Sequence, residues 1–108
     1  MNIHNLLEKF EINSKIYFES RSINNLRIYL LAYFSALPDY NIKEIFNEYD
    51  QFIVSFQRWL ARKYSIKTSQ NWAQIILFYS FNEQDAFDNF FKLYREYLES
   101  EKIKNIGA

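Results

Sequence analysis

A chain of 108 residues has room for one domain with a modest core, and 49% hydrophobic with 24% charged residues is a globular composition, not a disordered one. One Gly, one Pro, one His and no Cys argue against hairpin-rich β folds and glycine phosphate loops, and they remove disulfides, thiolate sites and histidine-cluster metal sites. Thirteen basic against thirteen acidic side chains leave no net field to draw the chain to nucleic acid or an anionic membrane.

The apolar spacing is helical nearly throughout. Asn2 is placed to cap a first short helix whose inner face is Ile3, Leu6, Leu7 and Phe10. Ile16, Tyr17 and Phe18 are too few to assign. Ser22 opens a second helix with the stripe Ile23, Leu26, Leu30 and Phe34, expected to stop at Leu37 because Pro38 disfavours helical geometry before it. Asn41 suits the cap of a short third helix carrying Ile42, Ile45, Phe46 and Tyr49. Asp50 suits the cap of a fourth carrying Phe52, Ile53, Phe56, Trp59, Leu60 and Tyr64, and the two can equally be one helix.

Ser69 is the expected cap of a fifth helix with Trp72, Ile75, Ile76 and Tyr79 inward. Asn82 opens a sixth, with Asp85 in its first turn and Ala86, Phe87, Phe90, Phe91, Tyr94 and Leu98 as its apolar face. These stripes predict a compact all-α domain of five or six helices over residues 1–108, with the core within about 2–101 and 102–108 as a frayed tail. Leu26, Phe56, Trp59, Trp72, Phe87 and Phe90 are expected in one core. The longest apolar run, Ile28 to Phe34, is far shorter than a membrane-spanning helix, and the N-terminal residues lack a secretory pattern. A cytoplasmic location is expected.

Little here promises catalysis. Glu44 with Glu48, and Glu96 with Glu99, sit about one turn apart opposite the aromatic stripes, where solvation works against the pKa shift that acid–base chemistry requires. His4 has no Cys or Ser partner and reads as a capping or surface residue. No enzyme activity, metal or cofactor is expected. Arg58, Arg62, Lys63 and Lys67 give +4 over residues 58–67, interleaved with Trp59 and Tyr64. That footprint is small for a phosphate-tracking protein, and Trp59 falls in the core stripe, out of reach of stacking bases.

The acids are sorted along the chain. Asp39, Glu44, Glu48 and Asp50 against Lys43 give a net −3 over residues 39–50, and residues 83–101 give a net −4 that includes Glu83, Asp85 and Asp88. Such segments can steer a cationic protein partner without a global field. Tyr17, Tyr29 and Tyr40 lie outside the stripes, and tyrosine is favoured at interfaces. Tyr40, beside Pro38 and the first acidic group, is the expected aromatic anchor. The expected partner-binding residues are Asp39, Tyr40, Glu44, Glu48, Asp50, Glu83, Asp85 and Asp88.

Several of these pieces occur together in a known group. Arg21-Ser22-Ile23 followed by Leu26, Phe56-x-x-Trp59-Leu60 with Tyr64, Ser69-x-x-Trp72 with Ile75-Ile76, and Ala86-Phe87-x-x-Phe90-Phe91 running to Tyr97-Leu98 span most of residues 21–98. This pattern resembles the small bacterial immunity-type proteins of contact-dependent growth inhibition and other polymorphic toxin systems. It departs from them where Asn13-Ser14-Lys15 and Ala32-Tyr33 stand in place of glycine-containing pairs. The resemblance implies stoichiometric inhibition of a cognate toxin domain, such as a nuclease, in the cytoplasm. A small nucleic-acid-binding or self-associating helical module is the alternative.

Overall fold

The computed structural model describes residues 3–18, 20–36 and 39–107, with side chains for all of these except 39–48 and 104–107. Six helices follow in order: α1 (Ile3–Ile12), α2 (Ser14–Tyr17), α3 (Ile23–Ser35), α4 (Asp39–Tyr64), α5 (Trp72–Phe78) and α6 (Glu83–Gly107). No strand occurs among the described residues. The fold is the all-α architecture that the apolar spacing predicts, although the helices are divided differently.

α1 buries Ile3, Leu6, Leu7 and Phe10, the face its three-and-four spacing defines. The unassigned segment after it is a single turn, α2, closed by the Phe18 N–H donating to Ser14 O at 2.9 Å. Its purpose is to deliver Phe18, which is buried edge-on against Phe10 and Phe87 with ring centroids 5.3 and 5.5 Å apart. α3 begins where Ser22 predicts, with the Ser22 hydroxyl accepting from Asn25 N at 3.2 Å. It ends at Ser35, with Ala36 as its C-cap, two residues before the expected stop.

The expected third and fourth helices are one helix of 26 residues. Neither Gly nor Pro interrupts residues 39–64, and the buried series Tyr49, Phe52, Phe56, Leu60 keeps helical period across Asp50. Asp50 is therefore an exposed mid-helix residue and not a cap. α4 ends in a Schellman motif: Ile66 N donates to Ala61 O at 3.0 Å and Ser65 N to Arg62 O at 3.2 Å. Ser65 takes the left-handed conformation this motif requires, at φ 54°, where glycine is the usual residue.

α5 is capped by Asn71 and not by Ser69. The Asn71 side chain accepts from Gln74 N at 2.9 Å while the Gln74 side chain accepts from Asn71 N at 3.3 Å, so one reciprocal pair satisfies two donors. α6 opens at Asn82 as expected, its side chain accepting from Asp85 N at 2.8 Å. Its helical backbone runs past Lys102 to Gly107, with Lys102 paired to Glu99 one turn back at 3.8 Å.

α6 packs against α3, α4 and α5, and the core lies between them. Phe56 meets the rings of Phe90 and Tyr97, Trp72 lies 5.0 Å from Phe90, and Phe34 stacks on Tyr49 at 4.6 Å. Offset and edge-on pairs of this kind add about 0.5–1.5 kcal/mol beyond their buried area. Leu26, Phe56, Trp72, Phe87 and Phe90 are buried together as predicted. Trp59 is the correction: it is only partly buried, stacking on Phe56 and meeting Tyr97 edge-on, with the Lys63 ammonium 5.7 Å from its ring. Leu60, a full turn beyond Phe56, takes the inner position, and Trp59 beside it lies at the rim against Tyr97 of α6. Leu98, expected on the apolar face of α6, is only half-buried, and Tyr97 beside it is buried.

Candidate partner-binding surface

The expected acidic surface is only partly a surface. The side chains of Asp39, Tyr40, Glu44 and Glu48 lie outside the described residues. Asp50 stands on the outer row of α4. Glu83 faces inward: its carboxylate accepts from Ser22 Oγ at 2.8 Å, from Asn24 N at 3.2 Å and from Asn24 Nδ2, tying the start of α6 to the start of α3. Asp85 is occupied likewise, its Oδ2 accepting from Phe81 N at 2.9 Å and from Asn89 Nδ2 at 3.3 Å. Asp88 is exposed and faces Arg21 at 3.5 Å. Of the 83–88 group, two carboxylates hold the fold, and the third is exposed but ion-paired with Arg21.

The same corner presents groups that sequence reasoning missed. Phe78 is 76% exposed, Tyr79 42% and Phe81 96%, between the buried faces of α5 and α6. Tyr79 was expected inside. α5 is only seven residues long and ends at Phe78, so Tyr79, its C-cap, leaves the helix where the inner stripe would return. The signal was present as three aromatics in four positions, with Phe78 and Phe81 belonging to neither neighbouring stripe.

This corner is firmly held. Ser80 Oγ donates to Ile76 O at 2.7 Å and accepts from Asn89 Nδ2 at 3.0 Å, while Tyr79 N and Ser80 N donate back into α5. The Tyr79 ring stacks on Tyr64 at 4.0 Å and 8°, and Phe78 meets Tyr79 edge-on at 5.0 Å. Beside them lies a dimple of about 180 Å³, walled by Ile66, Ile75, Phe78 and Tyr79 with Lys67 and Thr68 at its edge. It suits an apolar side chain whose neighbour carries a carboxylate.

The basic stretch is spread over different surroundings. Arg58 and Arg62 are exposed on the outer row of α4, and Lys67 edges the dimple. Lys63 donates to Glu96 at 2.8 Å, and that hydrogen bond holds its ammonium pKa above the usual value. His4 is more than a surface residue: Nδ1 is hydrogen-bonded to the Tyr94 hydroxyl, and the ring stacks on Tyr94. With Arg95 gripping Glu11 at 2.7–2.8 Å, it fastens α1 to α6. Burial pushes the Tyr94 hydroxyl up to about 12.

No group of three metal-binding side chains occurs among the described residues, and none of the helices is long and apolar enough to cross a membrane there. Comparison with family models, with curated proteins and with solved structures gives no match.

Proposed function

We propose that this chain is a protein-binding inhibitor of the immunity type, neutralising a toxin domain by stoichiometric association. The observation that carries this reading is the corner Phe78–Tyr79–Phe81, whose large apolar rings stand in water on a framework that hydrogen bonds and ring stacking have already ordered. Exposed aromatics on a rigid support are what a protein interface uses as anchors, because their area is gained with little further loss of freedom. Burying each phenyl ring is worth about 1.5–3 kcal/mol before the costs of association. The acidic stretch 39–48 supplies charge that would speed encounter with a cationic domain. The sequence resemblance supports the same reading.

The test is to co-express the chain with the C-terminal domain of the protein encoded immediately upstream, measuring capture at one-to-one stoichiometry and relief of growth arrest. Retention and relief are expected with the parent chain. Phe78→Ser combined with Phe81→Ser should weaken capture more than tenfold and leave the unfolding midpoint unchanged or higher, since these rings contribute little to the core. Failure of the parent to capture or protect refutes the function. Equal capture by the double variant refutes the corner as its anchor.

A further inference from the structure

Asp50, Val54, Arg58 and Arg62 stand four residues apart on α4, and all four are exposed. At 1.5 Å per residue they form a ridge of about 18 Å along the helix. A groove of about 470 Å³ runs along one side of it, lined also by Gln51, Ser55 and Glu101. A second groove of about 270 Å³ runs along the other, floored by Ile53, Gln57, Ala61 and Ile75. Both grooves share Val54 and Arg58, so the ridge separates them. A ridge of residues spaced by four with a groove at either flank is the surface that packs helix on helix.

The order of charges along this ridge identifies what it fits. An acid stands at one end, an exposed Val that is 50% accessible follows, and two guanidinium groups stand at the other end. Asp50, Arg58 and Arg62 make no ion pair among the described residues. We infer that this ridge is the contact of a two-fold homodimer, α4 packing antiparallel on α4 of a second copy. A two-fold contact requires one patch to complement itself. With the axis between Val54 and Arg58, Asp50 of each copy meets Arg62 of the other, and each Val54 lies against the aliphatic stem of the facing Arg58. A partner of uniform charge would instead meet one end of the ridge with repulsion, and Asp50 and Glu101 in the same groove offset the two arginines that a phosphate backbone would need.

This inference does not rest on the inhibitor reading, because the ridge and the aromatic corner share no residue. Its test uses the full chain, followed by sedimentation velocity from micromolar to millimolar concentration. The expected result is a concentration-dependent rise from 13.2 kDa toward twice that mass. Asp50→Arg alone and Arg62→Asp alone should each weaken dimerisation by about tenfold or more while the helical spectrum and unfolding midpoint are retained. Combining Asp50→Arg with Arg62→Asp reverses both ends of the ridge and should restore the dimer. The inference is overturned if the parent stays monomeric throughout, if either single reversal dimerises as well as the parent, or if the folded double variant stays monomeric. A monomeric parent that retains labelled single-stranded RNA through Arg58 and Arg62 overturns it in favour of phosphate binding.

Discussion

Replacing Glu83 with alanine separates a structural acid from an interfacial one. The carboxylate accepts three hydrogen bonds, from Ser22 Oγ, Asn24 N and Asn24 Nδ2, across about 60 residues of chain. A hydrogen bond to a charged group contributes about 1.5–3 kcal/mol, but these three share one partly buried acceptor, and water can reach the donors once it is removed. The sum is therefore too large, and about 2–4 kcal/mol is expected, with up to ~1 kcal/mol of it from the acid's place at a helix N-terminus. That is a considerable share of the ~5–15 kcal/mol that holds a domain of this kind together. Urea unfolding followed by tryptophan fluorescence and far-ultraviolet circular dichroism would measure it. Glu83→Gln, which keeps the shape and one acceptor, should fall between alanine and the parent. A double-mutant cycle with Ser22→Ala should return a coupling of about 0.5–3 kcal/mol. If Glu83→Ala costs less than ~0.5 kcal/mol, the level of an ordinary surface change, the bracket between α3 and α6 does not carry the load assigned to it.

Two further outcomes follow from local geometry. Ser65→Gly should stabilise the domain by about 0.5–1 kcal/mol, because the position already requires positive φ and glycine adopts it without the side-chain clash; no gain in the urea midpoint would contradict the Schellman assignment. Burial raises the hydroxyls of Tyr49 and Tyr94 from 10.0 to about 12, so their neutral forms favour the folded state. Stability from this source is fully present below pH 10 and is lost as pH rises from 10 to 12, by about 1–3 kcal/mol for each tyrosine. Tyr49→Phe with Tyr94→Phe should flatten that alkaline slope, and an unchanged slope would place the titrating groups elsewhere.

The helical period of the apolar residues was enough to find α1, α3, α5 and α6 and to name most of the core, because burial leaves the same signature wherever a helix lies on a common interior. Boundaries were harder to place. Asn41 and Asp50 are good caps in isolation, but a cap acts only where the chain stops being helical, and the Tyr49–Phe52–Phe56 series gave it no reason to stop. Ser69 lost to Asn71 because Gln74 could complete a reciprocal pair only there. The surface was least legible. Glu83 and Asp85 look like free acids until α3 and the α5–α6 turn are brought to them, whereas Tyr79 looks like core until α5 ends at Phe78, one residue short of it. Exposure depends on contacts made across the whole chain, and residue spacing carries little of that information.

α6 is the element on which the others close: it packs on α3, α4 and α5, and through Tyr94 and Arg95 it also holds α1. It is translated after all of them. At about 5–20 residues per second, its 25 residues take roughly 1–5 s to synthesise, and for that interval Leu26, Phe56 and Trp72 have been made without the helix that covers them. The nascent domain thus passes through a period in which its aromatic interior lacks the helix that closes it. A ribosome that pauses within residues 83–107 lengthens that period. A chain stopped before Glu83 is not a smaller version of this domain but a fragment with its interior open to water.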